Sequence, residues 1–155
     1  MRIITFACLS FLIAMTISLS RAAESKVHLH GTLYKVSCVV NNIQPIVFGK
    51  VGVKKVDGIR YLMPVDFSYT CDAQTDATLN LRVNGNISDF NDSAVQTDVD
   101  GLAIEIKNNG QKIKIGDPLP SPDTAQLTAV PVQRPGTALS EGHFSAVATL
   151  IVSED

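Results

Sequence analysis

The chain has 155 residues, of which 45% are hydrophobic and 18% charged, and its 13 basic and 15 acidic side chains give a net charge of −2. This length fits one domain. No stretch is strongly basic, so the composition gives no support for nucleic-acid binding.

The first residues predict an export signal. Met1 and Arg2 precede a mostly apolar run from Ile3 to Leu19. In Ser20-Arg21-Ala22, the small residues Ser20 and Ala22 occupy the two positions that a signal peptidase recognises. We therefore expect residues 1–22 to be a signal peptide, cleaved after Ala22 or, as second choice, after Ala23. A membrane anchor is the alternative, but hydroxyl side chains interrupt a run that barely reaches the roughly 17–25 residues of a span. Cleavage would leave 133 residues with a net charge of −4.

The processed chain begins and ends with alternating apolar and polar residues, the period of a half-buried strand. Near the N-terminus the alternating positions are Val27, Leu29, Gly31 and Leu33. Near the C-terminus they are Gly142, Phe144, Ala146, Ala148, Leu150 and Val152. A terminal strand either pairs with an earlier strand or leaves an open edge that another chain can fill.

Two cysteines remain after processing, because Cys8 lies in the signal peptide. In an exported protein, the isolated pair Cys38 and Cys71 predicts one disulfide. A metal site is the alternative, but the sequence has no CxxC spacing and no histidine near the two cysteines.

The body of the chain predicts an all-β fold. Short β-branched or alternating runs are separated by turn signals such as Asp57-Gly58, Asn84-Gly85-Asn86 and Gly116-Asp117-Pro118, and Asn108-Asn109-Gly110 predicts a hairpin. Seven or more short strands favour a β-sandwich, and the absence of tryptophan excludes the antibody-type core. The predicted internal strands are residues 46–48, 62–70, 78–83, 102–106, 112–115 and 126–132.

The sequence offers no arrangement typical of an enzyme or a cofactor site. His28 and His30 share one strand face, but no third zinc ligand lies near them, so solvated side chains are the favoured interpretation. Asp98 and Asp100 lie in a polar loop, where solvation is more common than catalysis. There is no G-x-S-x-G motif and no glycine-rich phosphate loop.

In order and spacing these features resemble a pilus subunit of the chaperone–usher pathway, of the type 1 and P pilus kind. The resemblance covers the whole processed chain, and its strongest part is the ending, where Gly142 stands fourteenth from the C-terminus before alternating apolar residues. Glu154 departs from the family pattern, which usually has an aromatic residue next to last. The other matching segments are residues 27–33, 37–40, 46–49, 67–71 and 101–104.

The resemblance implies an incomplete immunoglobulin-like β-sandwich that lacks its last strand and is completed by a donor strand from a partner. Residues 23–35 would be the donated extension, with Val27, Leu29, Gly31 and Leu33 as its inserting residues, and residues 36–155 the pilin domain. The implied partners are a periplasmic pilus chaperone, an outer-membrane usher and neighbouring subunits in a head-to-tail polymer. The implied location is the surface fimbrium, reached through the periplasm.

The resemblance also implies that residues 142–152 line the acceptor groove and contact the chaperone, and that the chain is a structural subunit. Adhesins of this pathway carry a receptor domain ahead of the pilin domain, and the processed chain has room only for the pilin domain, which favours a structural subunit over an adhesin. The short length and the unusual Glu154 favour a minor or adaptor subunit that supports adhesion. The alternative is a self-contained secreted immunoglobulin-like binding module, in which the N-terminal strand pairs within its own sheet.

Overall fold

The computed structural model describes residues 27–33, 35–72 and 78–154, which divide into two units, Met1–Leu33 and Tyr34–Asp155. In the first unit, residues 27–33 form no strand, and Val27, Leu29 and Leu33 are exposed. The predicted signal peptide lies outside the described residues. No helix among the described residues has the length and apolar character needed to cross a membrane.

The second unit is built from short antiparallel strands, and the described part of the chain contains no α-helix. Two 3₁₀ turns, Val53–Lys55 and Pro122–Thr124, interrupt the connections. The strands are β1 (Cys38–Asn41), β2 (Met63–Pro64), β3 (Ser68–Cys71), β4 (Leu79–Gly85), β5 (Ile87–Ser88), β6 (Asn91–Gln96), β7 (Leu102–Asn108), β8 (Gln111–Lys112), β9 (Leu119–Pro120), β10 (Leu127–Gln133) and β11 (Ala148–Glu154).

The strands form three sheets around one main core. The largest sheet has the order β2-β10-β7-β6-β5, with β8 added beside β7. A second sheet has the order β11-β4-β9, and β1 pairs with β3. Leu81 on β4, Ile104 on β7 and Val152 on β11 belong to one buried cluster. Strands of different sheets therefore contribute side chains to the same core, as in a layered β fold. The all-β prediction is confirmed.

The predicted hairpin is confirmed. Asn108 pairs with Gln111 across the two-residue turn Asn109-Gly110, and both turn residues have positive φ, 50° and 77°. Asparagine and glycine adopt this conformation with least strain, which is why the Asn-Gly signal predicts the turn.

Several predicted strand bounds are wrong. Residues 46–48 form no strand, and residues 62–70 divide into β2 and β3 at Pro64, which cannot donate a ladder hydrogen bond. Of the strand predicted over residues 112–115, only Lys112 belongs to a strand, β8, although Ile113 and Ile115 are buried.

At the other strands, β4 continues through the predicted turn to Gly85, which pairs with Ala148. Two strands were not predicted from the sequence: β1, and β6, whose first residues, Asn91-Asp92-Ser93, are polar.

Candidate functional site

The second unit contains a groove of about 560 Å³ with a mainly apolar lining. It lies between two segments that belong to no strand, residues 43–49 (the first lip) and residues 142–147 (the second lip), and it continues along β11 to Leu150. Core side chains from the large sheet and from β4 form its floor. These floor residues are Val83, Val95, Ile104, Ile106, Leu127 and Ala129.

The first lip has an unpaired main chain. No backbone hydrogen bond joins residues 43–49 to any other described residue. Ile46 and Phe48 nevertheless pack against the core, whereas Val47 is 73% exposed. The alternation predicted for a strand is therefore present, but the hydrogen-bonding partner that would make it a strand is not among the described residues.

The second lip replaces the first half of the predicted C-terminal strand. The prediction of a strand over residues 142–152 is wrong for residues 142–147, because β11 begins at Ala148, where pairing with Gly85 of β4 starts. The sheet order places β4 on one side of β11 and no described strand on the other. At Ala148 and Leu150, which line the groove, β11 therefore has no paired strand on its second side among the described residues.

The predicted C-terminal residues differ in burial. Phe144 and Leu150 are half-buried against the core, and Val152 is buried in it. Ala146 and Ala148 are exposed. Gly142 is also exposed, and its φ of 152° is a conformation that favours glycine. All of these residues except Val152 line the groove.

Two aromatic rings, one from each lip, contact each other in the groove lining. Phe48 of the first lip and Phe144 of the second lip have ring centroids 6.0 Å apart, with ring planes inclined at 34°. Such a tilted contact is favourable for an aromatic pair. The ring pair therefore links the two lips through side chains that also pack against the core.

Beside Phe144, a second cavity of about 280 Å³ adjoins the groove. It shares Gly49, Gly142 and Phe144 with the groove, and its apolar lining includes Val53 and Leu139. The two cavities thus adjoin each other where both lips contribute lining residues.

A three-bond clasp holds the second lip. The Ser145 amide donates to Asp98 Oδ1 at 2.8 Å, and the Ser145 hydroxyl donates to Asp98 Oδ2 at 3.0 Å. The Asp98 amide donates to the Ser145 carbonyl at 3.2 Å. The pKa of Asp98 lies below its ordinary value, mainly because the hydrogen bond from the Ser145 amide stabilises the charged carboxylate. Within the described residues, Ser145 alone of this lip has a backbone hydrogen bond.

The disulfide prediction is confirmed, since Cys38 and Cys71 are bonded and stand opposite each other in the β1–β3 pair. The preceding residues are also fixed to the domain. The Ser37 amide donates to Asp72 Oδ1 at 2.9 Å, and the amide of buried Val36 donates to Glu154 Oε2 at 3.3 Å. The C-terminal strand thus contacts the residue at which the predicted domain begins.

The other predicted site residues belong to the first unit. Val27, Leu29 and Leu33 are exposed, and a methyl group placed on Gly31 would meet nothing within 4 Å. His28 and His30 are exposed too. Among the described residues, no three histidine, cysteine, aspartate or glutamate side chains gather as a metal site would require.

A buried carboxylate on β7 was not predicted from the sequence. Glu105 is 1% exposed, and its carboxylate oxygens lie 2.7 Å from Lys112 Nζ and 3.5 Å from Lys107 Nζ. Asn91 Nδ2 donates to Glu105 at 2.8 Å. Burial raises the pKa of Glu105, but Lys112, Asn91 and Lys107 together outweigh burial and hold the pKa below its ordinary value. A lone polar residue in an apolar run, here Glu105 within Leu-Ala-Ile-Glu-Ile, was the available signal.

Comparison with solved structures gives the same fold. The P pilus rod subunit PapA is similar with a TM-score of 0.61 and 22% identity, covering 84% of this chain and all of that one. The P pilus adaptor subunit PapF has a TM-score of 0.55 and 21% identity, covering 79% of this chain and 98% of that one. A chain from the structure of a chaperone–usher pilus has a TM-score of 0.57 and 23% identity, with coverages of 85% and 96%.

Comparison by sequence gives the family. The profile of the fimbrial protein family matches residues 27–154. The uncharacterized fimbrial-like protein YfcQ of Escherichia coli strain K12 is 32% identical over 152 residues, which cover 91% of this chain and 94% of the relative. The chain therefore belongs to the fimbrial protein family, and it is a non-enzymatic structural subunit of a surface pilus.

Proposed function

We propose that this subunit is assembled by the chaperone–usher route and that its domain is completed by a β-strand supplied by another protein. The observation that carries the proposal is the groove itself, because among the described residues its first lip has no backbone hydrogen bond and its second lip has them only at Ser145. An inserted strand could bond to the free main chain while its alternate side chains fill the apolar groove. An incomplete immunoglobulin-like sandwich, as the sequence resemblance implies, explains why these lips are not strands.

In this proposal the occupant of the groove changes during assembly. A periplasmic chaperone first covers the groove, and at an outer-membrane usher the N-terminal extension of another subunit replaces the chaperone strand. Residues 1–22 direct export and residues 23–35 form the donated extension. Because each subunit donates at one end and accepts at another, the contact does not close and a filament grows.

The alternation and exposure of the extension support its donor role. Val27, Leu29 and Leu33 are 77%, 90% and 102% exposed, which is a poor environment for aliphatic side chains unless a partner covers them. Gly31, in the same alternation, would let the strand approach a bulky feature of an acceptor groove.

For the finer role we propose a minor or adaptor subunit that supports adhesion. Glu154 supports this assignment, because it contacts Val36 of its own domain where the family usually has an aromatic residue.

Expression of residues 23–155 in the periplasm, with and without the cognate chaperone, tests the proposal. With the chaperone we expect a soluble one-to-one complex, and without it an aggregated or self-associated product, because the groove exposes apolar area and unpaired backbone. A monomer that unfolds cooperatively at high temperature without any partner would instead establish the self-contained binding module.

A further inference from the structure

We infer that Asp98 is a positioning residue for strand capture. Its clasp on Ser145 keeps the second lip extended beyond the end of β4, so that the main-chain groups of Phe144 and Ala146 point away from the domain. The inference rests on the proposed function, in which a strand from another protein fills the groove. It assigns a role in that function to the turn between β6 and β7.

The hydrogen bonds of β4 fix the direction of the main chain along β11. The Leu79 carbonyl accepts from the amide of Ser121, which follows β9, and β9 lies on the side of β4 away from β11. The Val83 carbonyl accepts from the Gly116 amide, ahead of β9. Because hydrogen-bonded and non-hydrogen-bonded pairs alternate, the pairing of Val83 with Leu150 is non-hydrogen-bonded. The main-chain groups of Leu150 therefore point to the side of β11 opposite β4, which we call the open side.

The same alternation continues into the second lip. Even-numbered residues of β11 direct their main chain to the open side, and odd-numbered residues direct it towards β4. Because β4 ends at Gly85, opposite Ala148, Ser145 has no partner on β4. Its amide and its carbonyl nevertheless both bond to Asp98, as those of a strand residue bond to one partner. Asp98 thus replaces a strand partner, and the main chain of the neighbouring Phe144 and Ala146 is directed to the open side.

A turn held by its own hydrogen bonds carries Asp98. Thr97 is buried, and its hydroxyl donates to the Leu102 carbonyl at 2.8 Å across the turn. The Gln96 amide donates to the carbonyl of Asn86, the first residue after β4, at 2.7 Å. These bonds fix Asp98 beside the end of β4, where it can continue the pairing that β4 no longer supplies.

The second lip has little else to hold its main chain. Phe144 packs one ring against the core, and among the described residues of the lip only Ser145 has backbone hydrogen bonds. Without the clasp, the ring contact would remain, but the peptide groups on both sides of Ser145 could rotate. An entering strand would then have to order them, and that entropy cost opposes binding.

Chaperone capture of the full processed chain tests the inference. Freshly refolded protein, residues 23–155, is mixed with the cognate chaperone, and the association rate and the Kd are both measured. Asp98→Ala should slow association and raise the Kd by about tenfold, since the lip must be ordered during binding. Asp98→Asn should stay within about threefold of wild type, because its amide oxygen can accept from the Ser145 amide while its nitrogen donates to the Ser145 hydroxyl.

Asp100→Ala is the matched control. It removes a carboxylate from the same turn, but the Asp100 side chain is 88% exposed and has no hydrogen bond to the second lip among the described residues. Its capture should equal that of wild type. Protection of the Val152 amide against exchange in captured Asp98→Ala shows that the core of the variant is folded.

The outcomes separate positioning from stabilisation. A clasp that only stabilised the domain would change the free energy of unfolding with the groove empty and filled alike, so equal capture of Asp98→Ala and wild type would overturn the inference. Loss of Val152 protection in Asp98→Ala would overturn it too, as would Asp98→Asn being as impaired as Asp98→Ala. Failure of the chaperone to capture wild type would instead contradict the proposed function.

Discussion

Phe144 offers a measurement of how much the groove contributes to strand capture. The side chain is half-buried in the domain and would be covered by an inserted strand. A fully buried Phe→Ala substitution costs about 3–5 kcal/mol, and we expect about half of that for the half-exposed ring of the empty domain. Loss of the ring contact with Phe48 affects both states and cancels. Phe144→Ala should therefore weaken donor binding by roughly 1.5–2.5 kcal/mol, about one to two decades in Kd.

Leu81→Ala is the matched control. Leu81 is completely buried whether or not the groove is filled, so its substitution should destabilise both states by the same roughly 2–5 kcal/mol and leave the Kd unchanged. The assay is an equilibrium titration of freshly refolded domain with a labelled peptide of residues 23–35, in parallel with denaturant unfolding of the filled domain. Equal donor affinities for Phe144→Ala and wild type would refute the placement of the strand over this ring.

Three further outcomes are expected. Replacing Cys38 and Cys71 by alanine should lower the free energy of unfolding by about 3–4 kcal/mol on the chain-entropy account of a loop with separation 33, measured by denaturant titration of the filled domain. The lowered pKa of Glu105 stabilises the fold above the unfolded-state pKa of about 4.3, and this contribution disappears as pH falls through the folded-state pKa. Glu105→Gln should therefore have a lower free energy of unfolding than wild type at neutral pH. In unfolding measured against pH, the variant should lose less of that free energy than wild type between about pH 5 and 3. Asp98→Ala should speed amide exchange at Ser145 and leave the Val152 amide protected; unchanged exchange at Ser145 would show that the clasp does not hold the lip.

The regular part of the fold could be predicted because its signals are local. Alternation and β-branched residues indicate β7 and β10 within a few residues of their bounds, and Asn109-Gly110 specifies its turn through backbone sterics. The disulfide followed from export and the isolated cysteine pair. Each signal lies in a short stretch of sequence and requires no knowledge of what packs against it.

The absence of strand pairing at the groove lips could not be predicted, since their side chains alternate as strand residues do. Whether alternating residues form a strand depends on a main-chain partner, which is a property of the whole fold. The same limit applies to the Asp98–Ser145 clasp, whose residues are 47 positions apart, and to Glu105, whose partner Asn91 lies on the neighbouring strand β6. The assignment of the groove residues as acceptors of a strand stays a prediction.

Glu154 illustrates how one residue changes meaning once its neighbours are known. In the sequence it is a missing aromatic residue and suggests a weaker grip on a partner. In the structure its carboxylate accepts a hydrogen bond from Val36, and the next two residues are held by Asp72 and by the disulfide at Cys38. In the proposed polymer, a pulling force on the extension would act first on residues 36–38. The hydrogen bond to Glu154 would carry it to β11, and the disulfide would carry it to Cys71 of β3. The acidic residue at the end of β11 therefore contacts its own domain, beside the end of the segment that we propose is donated.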